Sequence, residues 1–174
     1  MYRISTKPQS FKGVKPCDLF LNFIENQHHF LKPGDCFIIN LSSSNHKGSH
    51  FISLIILSNR RAEYFDPFGL HYSLDSNINK ALVLAKLKTT IFEKSIQDLS
   101  SQFCGLYCGK LKFFKYKSDQ LRIFTIFFSV AYLLWRQTGL TKESFGNLFH
   151  KDKRDLNDRI VVDVIKLFIE EKKY

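Results

Sequence analysis

Apolar residues in the middle of the chain predict a set of β-strands. The run "HFISLIIL" (His50 to Leu57) is nearly all apolar and β-branched, which is typical of a strand buried on both faces. The run "GDCFIIN" (Gly34 to Asn40) follows a Pro-Gly turn and "AEYFD" (Ala62 to Asp66) follows the turn "SNRR", so each predicts a further strand. Pro67 lacks an amide donor and ends the second of these. The run "KTTIFEKSI" (Lys88 to Ile96) predicts a fourth, short strand.

Helical spacing appears on both sides of these strands. Apolar residues recur at helical intervals between Asp18 and Phe30, residues Asn77 to Lys88 predict a second helix, and Asp155 to Glu171 form an amphipathic pattern. Strands in the middle with helices at both ends predict an α+β fold, in which helices flank a central mixed or antiparallel sheet. No internal repeat or low-complexity linker divides the chain, so we expect one domain over residues 1–174.

Composition and charge narrow the class of protein. The chain has 174 residues, of which 44% are apolar and 18 are Phe, so it can bury a sizeable core and is not a disordered chain. Its formal net charge is +10. Such an excess favours acidic partners, above all nucleic acid. The alternative is a solvated basic surface without a partner.

The cysteines and the uncharged runs bear on the compartment. Four cysteines in a chain of this length do not make a disulfide scaffold. No charged-then-apolar signal segment opens the chain, so we expect an intracellular protein with reduced thiols. The longest uncharged run has 13 residues, from Ile123 to Trp135. A membrane helix needs about 20 residues, so we expect no membrane partner.

A histidine and an aspartate face each other in the predicted hairpin. If the hairpin turns at Ser58 to Arg61, His50 lies opposite residues 66 to 69, so that Asp66 is close to it. A carboxylate in that place can accept a hydrogen bond from one imidazole nitrogen and leave the other nitrogen free to act as a base. The simpler interpretation of such a pair is a structural hydrogen bond.

A candidate nucleophile follows in "SSQFCGLYC". Cys104 stands where a polar loop gives way to apolar periodicity, at a predicted helix start, which favours the thiolate form of a cysteine. Gly105 leaves room for a substrate carbonyl, and backbone amides of the turn could bind an oxyanion. Gln97, seven residues upstream, offers a side-chain amide for the same task.

Two other interpretations of these cysteines stay open. Cys104 and Cys108 could both be core residues of a helix, because free cysteines are commonly buried. They could also bind zinc together with His46 and His50, but the spacing is poor for a structural zinc site. We therefore expect no metal.

Taken together, these residues resemble a known family. The run "SHFISLII…AEYFDPFG…IQDLSSQFCGLYC" is similar to the adenovirus-type cysteine proteases, the adenains, and to their relatives in Polinton elements and adintoviruses, within the wider Ulp1-like clan. "YFDPFG" and "CGLYC" are the most specific pieces. "FKGVKPCDLF" and "NLFHKDKRDLNDRIVVDVIKLFI" also resemble flanking segments of the family. The resemblance covers nearly the whole chain except residues 109–129, and it implies a papain-like or Ulp1-like cysteine protease architecture.

The resemblance implies a role for each matching residue. His50 matches the general base of the family, Asp66 the orienting acid and Cys104 the nucleophile. Gln97 matches the glutamine of the oxyanion hole.

One position departs from the family pattern. Phe51 stands where the family usually has Trp, and it keeps an apolar wall for substrate but lacks the indole donor. Gly105 is the second expected substrate-binding residue. Gln102 is a rival for the oxyanion role, although it lies only two residues before Cys104.

The implied reaction is peptide-bond hydrolysis in capsid or virion precursor proteins. It needs no cofactor for its chemistry, and DNA can serve as an activator in this family. We expect a monomer that acts on a protein substrate in a host nucleus or in a virion. Two alternatives remain open: a protease that removes SUMO or another ubiquitin-like modifier, and a DNA-binding virion protein whose protease site is dead.

Residues 109–129 interrupt the matching segments. They carry five basic residues against one acidic residue, and without them "CGLYC" runs directly into the apolar residues Val130 to Trp135. The codons of Gly-Lys-Leu can contain the splice donor GTAAGT, and those of Phe-Phe-Ser-Val a pyrimidine tract with a CAG acceptor. We interpret the segment as a non-native insertion translated from a retained intron. A genuine insertion of the family and a nucleic-acid-binding helix are the alternatives.

Overall fold

Five strands form a single mixed sheet. The structure, a computed structural model, describes residues 10–46, 50–97 and 128–170. The strands lie side by side in chain order: β1 (Ser10–Pro16), β2 (Asp35–Asn40), β3 (Phe51–Ser58), β4 (Arg61–Phe65) and β5 (Lys88–Ile91). The two outer pairs are parallel and the three central strands are antiparallel. This sheet and its flanking helices confirm the predicted α+β class.

Helices cover the sheet on two sides. The described helices are α1 (Cys17–Gln27), α2 (Ser76–Leu84), α3 over residues 128–137, α4 (Lys142–Gly146) and α5 (Arg154–Glu170). α1 connects the parallel pair β1 and β2, and α2 connects the parallel pair β4 and β5. Within the described ranges, no helix is both long enough and apolar enough to cross a bilayer.

The alternation of side chains along the strands builds one core on each face of the sheet. Phe20 of α1 and Leu54 of β3 belong to the core that α1 and α2 cover. Phe65 of β4 packs into the other core with Tyr132 of α3 and Val161 of α5. Strand β3 contributes to both cores, which is why its sequence is apolar at almost every position.

Some boundaries differ from the sequence predictions. α1 ends at Gln27, and the predicted remainder of that helix is a short 3-10 turn at His28–Phe30. β5 stops at Ile91, because its partner β4 ends at Phe65 and the ladder does not extend past it. β1 and α4 were not predicted. β1 is an edge strand with mostly exposed side chains, so its sequence lacks an apolar alternation.

A buried ion pair ties α3 to the sheet. The Arg136 guanidinium donates to both carboxylate oxygens of Glu63, over 2.6 and 3.2 Å, and the Tyr132 hydroxyl donates to the same carboxylate over 2.5 Å. Burial, and then the negative charge of Glu63, raise the pKa of Tyr132. A buried carboxylate left without such partners would be strongly destabilising, so this network sets the position of α3.

The segment 109–129 lies outside the described residues except for its last two. Phe128 and Ser129 are helical and buried. The Phe128 ring lies 5.8 Å from the ring of Phe149, and the Ser129 hydroxyl donates to the carbonyl of Phe51 over 3.3 Å. The origin of the segment stays a prediction.

Candidate active site

The sheet topology brings three predicted site residues to one end of the sheet. His50 directly precedes β3, and Asp66 directly follows the antiparallel β4, so both lie at the same end of the sheet. β5 runs parallel to β4, and the chain continues from the end of β5 to Gln97 at that same end of the sheet. The pairing of Ser53 with Phe65 agrees with the predicted hairpin register.

His50 and Asp66 form a buried hydrogen bond. The distance from Nε2 of His50 to Oδ1 of Asp66 is 2.9 Å. The Asp66 side chain is fully buried and that of His50 is 11% exposed. A carboxylate can only accept, so in the neutral imidazole Nε2 carries the proton and Nδ1 keeps its lone pair. Nδ1 has no hydrogen-bond partner among the described residues, which leaves it free to act as a base.

The residues after Asp66 form a turn that holds this pair. Oδ1 of Asp66 also accepts from the backbone amide of Phe68 over 2.7 Å, and the Asp66 carbonyl accepts from Gly69 over 2.9 Å. Aspartate commonly bonds the amide two residues ahead in this way. The Phe68 ring stacks on the His50 imidazole, with ring centroids 4.5 Å apart and an angle of 19° between the planes. The turn therefore restrains both the carboxylate and the imidazole.

Gln97 is attached to the same turn. The backbone amides of Ile96 and Gln97 both donate to the Pro67 carbonyl, over 2.9 and 3.0 Å. The Gln97 side chain is fully buried, and its amide has no hydrogen-bond partner within the described part of the chain. An unpaired buried amide destabilises the folded state, so Gln97 is a candidate for a functional role.

Gly69 permits the close approach of these two segments. Its φ is +71°, and a Cβ built there would lie 2.9 Å from the backbone nitrogen of Ser95. Any side chain at this position would push the segment that carries Gln97 away from the turn. This explains the glycine of "YFDPFG" in physical terms.

Neither described cysteine has the character of a nucleophile. Cys17 is buried and donates to the Leu41 carbonyl over 3.2 Å, and burial raises the pKa of its thiol. Burial also raises the pKa of the Cys36 thiol to about 11. Both are therefore protonated core residues at neutral pH.

The remaining predicted site residues divide into two groups. The predicted nucleophile Cys104, together with Gly105, Gln102 and Cys108, lies outside the described residues. Phe51 is described, and its side chain packs half-buried against the core on the α3 side of the sheet. Its substrate-binding role stays a prediction. Among the described residues, no group of three or more His, Cys, Asp or Glu side chains could hold a metal ion.

Comparisons with known proteins give only distant likenesses. No protein-family model and no curated protein matches the chain. The chain is similar to the solved structure of the ASFV pS273R protease, with 14% identity and a TM-score of 0.35, over 72% of this chain but only 43% of that protein. It is also similar to the central domain of the uncharacterized Lpg1148 protein from Legionella pneumophila, with 13% identity, a TM-score of 0.42 and coverage of 98% and 92%. The function is therefore inferred from the site itself.

Three residues of the site were not anticipated from sequence. Phe68 and Gly69 belong to the quoted motif "YFDPFG". The stacking of Phe68 on His50 and the close approach of Gly69 to Ser95 depend on the turn around Asp66, which the motif alone does not specify. Asn157 of α5 donates to the Ile96 carbonyl over 2.7 Å, next to Gln97. No local pattern marks it, because 61 positions separate Asn157 from Ile96 in the chain.

Proposed function

We propose that the chain is a cysteine endopeptidase of the adenain type. The observation that carries the proposal is the buried His50–Asp66 pair. Its free Nδ1 lies at the same end of the sheet as the unpaired side-chain amide of Gln97. In this proposal Asp66 orients the imidazole, His50 is the base, Gln97 is an oxyanion donor and Cys104 is the nucleophile. The motif resemblance supports the assignment of Cys104, which the described residues do not include.

The chain between Gln97 and Cys104 is long enough for this assignment. Extended chain spans about 3.3–3.6 Å per residue, so seven residues can bridge any distance within a small active site. The two described cysteines are buried, protonated core residues, so the candidates for a reactive thiol are Cys104 and Cys108. Cys104 is preferred because it directly precedes a glycine that leaves room for a substrate carbonyl.

The proposed reaction passes through an acyl-enzyme. His50 Nδ1 takes the thiol proton, the Cys104 sulfur attacks the carbonyl carbon, and the electron pair of the C=O bond moves to the oxygen, which Gln97 stabilises. When the C–N bond breaks, the imidazolium gives its proton to the leaving amine. His50 then activates water, which attacks the thioester and releases the acid and the thiol. Asp66 stabilises the imidazolium at each step.

Protein precursors are the proposed substrates. The family that the motifs resemble cleaves capsid precursors, and we extend that substrate class to this chain as part of the proposal. Removal of a ubiquitin-like modifier is the competing activity. The two differ in what is recognised, because a modifier protease cleaves after a Gly-Gly tail.

One set of cleavage assays tests the proposal. Capsid-like precursor peptides and Gly-Gly-modifier fusions are incubated with the full chain, with Cys104→Ser and with Cys108→Ser. We expect cleavage of the precursor peptides, a loss of several orders of magnitude for Cys104→Ser, and little change for Cys108→Ser. Equal losses in both variants would contradict the nucleophile, and cleavage of the Gly-Gly fusions alone would replace the substrate class.

A basic cluster favours DNA as a second ligand. Arg60 of the β3–β4 turn and Arg61, the first residue of β4, lie beside Lys88 of β5. Arg61 pairs with Lys88, and the Lys88 amide donates to the Arg60 carbonyl over 2.8 Å. These three side chains and Lys86 are exposed, and none forms an ion pair with a described carboxylate. The cluster lies at the sheet end opposite to His50, so bound DNA would not cover the proposed active site. We propose DNA as an activator that binds there.

A further inference from the structure

One peptide group next to Gln97 is held from both sides. Its N–H belongs to Gln97 and donates to the Pro67 carbonyl over 3.0 Å. Its C=O belongs to Ile96 and accepts from Nδ2 of Asn157 over 2.7 Å. A peptide group is planar, so fixing its two polar ends also fixes the position of the Gln97 Cα, from which the side chain leaves the backbone.

Asn157 is itself held rigidly. Its side chain is fully buried in α5. Its Nδ2 also donates to the His150 carbonyl over 2.9 Å, and its Oδ1 accepts from the His150 amide over 2.8 Å. Both protons of the Asn157 amide and its oxygen therefore have partners, and a satisfied buried network of this kind defines one geometry.

We propose that Asn157 is a positioning residue for Gln97. The inference rests on the proposed function, in which the Gln97 amide stabilises the oxyanion. A donor helps catalysis only if it is already placed where negative charge develops. Pro67 is bonded to Asp66, so the clamp on this peptide also sets the distance between Gln97 and the His50–Asp66 pair. Asn157 thus connects α5 to the active site without touching the substrate.

A comparison of two thiol reagents isolates this role. A peptide aldehyde built on the cleaved sequence accepts the Cys104 sulfur at its carbonyl carbon, and the electron pair of the C=O bond moves to the oxygen, giving a hemithioacetal whose oxygen needs a donor. Iodoacetamide is attacked at its CH₂ carbon and releases iodide, so no oxyanion forms. Loss of oxyanion stabilisation therefore weakens the first reaction and spares the second.

The variants are Asn157→Ala, Asn157→Ser, Gln97→Ala and the double variant Gln97→Ala/Asn157→Ala. Serine also lacks the Nδ2 donor that bonds the Ile96 carbonyl but keeps a polar group in the buried site, so it covers the case in which alanine fails to fold. Tyr132→Phe is the control for the loss of a buried hydrogen bond away from Gln97, because it removes the one to Glu63 and leaves the ring in place. A merely structural role of Asn157 would make its variants behave like this control.

We expect Asn157→Ala to lower kcat and to weaken aldehyde binding by about 10-fold or more, with KM and the iodoacetamide rate unchanged. Hydrogen exchange of the backbone N–H of Gln97 should accelerate in the Asn157 variants and not in Tyr132→Phe. In the Gln97→Ala background, the Asn157 substitution should cost little more, since the donor that it positions is gone.

Two results would overturn the inference, and they are distinguishable. If Gln97→Ala weakens aldehyde binding but both Asn157 variants leave it unchanged, Asn157 has no positioning role while the proposed function stands. If Gln97→Ala itself has no effect, or if the native chain does not react with the aldehyde, the proposed function fails and Asn157 has no oxyanion donor to position.

Discussion

The imidazole of His50 and the phenyl ring of Phe68 lie face to face, with centroids 4.5 Å apart and planes only 19° from parallel. The hydrogen bond from Nε2 to Asp66 fixes one edge of the imidazole, but it leaves rotation about the axis of that bond. The Phe68 ring opposes that rotation because it covers one face of the imidazole. The direction of the free Nδ1 is therefore set by two contacts that originate in one short turn.

The first prediction follows from this stack. Phe68→Ala should lower kcat by about 10-fold, because the imidazole loses the wall that keeps Nδ1 aimed at the nucleophile. Phe68→Tyr keeps the ring and should retain most of the activity. Steady-state cleavage and melting temperature should be measured on both. Equal activity of the alanine and tyrosine variants would show that the stack does not orient the base.

The second prediction concerns the orienting carboxylate. Asp66→Asn can still accept from the Phe68 amide, so the turn should persist and the melting temperature should change little. The new amide can donate to Nε2, which favours the tautomer with its proton on Nδ1 and removes the base. We expect kcat to fall by about 10²-fold or more, and His50→Ala to cost at least as much. Full activity of His50→Ala with Cys104 still required would contradict the proposed roles.

The third prediction uses the pH dependence of thiol labelling. Burial raises the pKa of the Cys36 thiol to about 11 and also raises that of Cys17. The thiolate is the reactive form, so near neutral pH both should resist iodoacetamide in the folded protein, and Cys36 should begin to react only as the pH approaches 11. Mass spectrometry of the labelled peptides should find Cys104 modified first. Early labelling of Cys36 would contradict this ranking.

The register of the β3–β4 hairpin, and with it the meeting of His50 and Asp66, was predictable from sequence. The position of the turn between the two strands fixes which residues of a hairpin face each other. The clamp of Asn157 on Ile96 was not predictable, because it depends on how α5 packs against a loop 61 positions away. Strand β1 was not predictable for a different reason, because an edge strand with mostly exposed side chains carries no apolar alternation.

The fourth prediction concerns DNA and the basic cluster. The chain should bind duplex DNA with little sequence preference and with an affinity that falls steeply as salt rises. Arg60→Glu/Lys88→Glu should weaken binding more than Lys151→Glu/Lys166→Glu, which changes the net charge equally on exposed residues elsewhere. Fluorescence anisotropy at two salt concentrations measures both effects. Equal losses in the two double variants would indicate diffuse charge rather than a site at the cluster.

The last prediction tests the insertion hypothesis, and it depends on the residues at the start of the described part of α3. The helix places an aromatic side chain and a small one, Phe128 and Ser129, in the core. Deleting residues 109–129 moves Tyr107 into the position of Phe128 and Cys108 into that of Ser129. An aromatic residue thus replaces an aromatic one and a small residue replaces a small one. The side-chain volumes are similar, so the main cost we expect is burial of the Tyr107 hydroxyl, about 1–3 kcal/mol if it finds no hydrogen-bond partner.

The same deletion should benefit the active site. It would connect Cys104 to α3 through a single continuous helix, whose buried face includes Tyr132 and Leu133 and whose position the Arg136–Glu63 ion pair fixes. A nucleophile on a packed helix is held more rigidly than one separated from it by a lysine-rich segment. We therefore expect the deleted chain to have a higher melting temperature and a higher kcat, measured side by side with the full chain on one peptide. If the deleted chain does not fold while the full chain does, residues 109–129 are a genuine part of the protein and the retained-intron hypothesis is wrong.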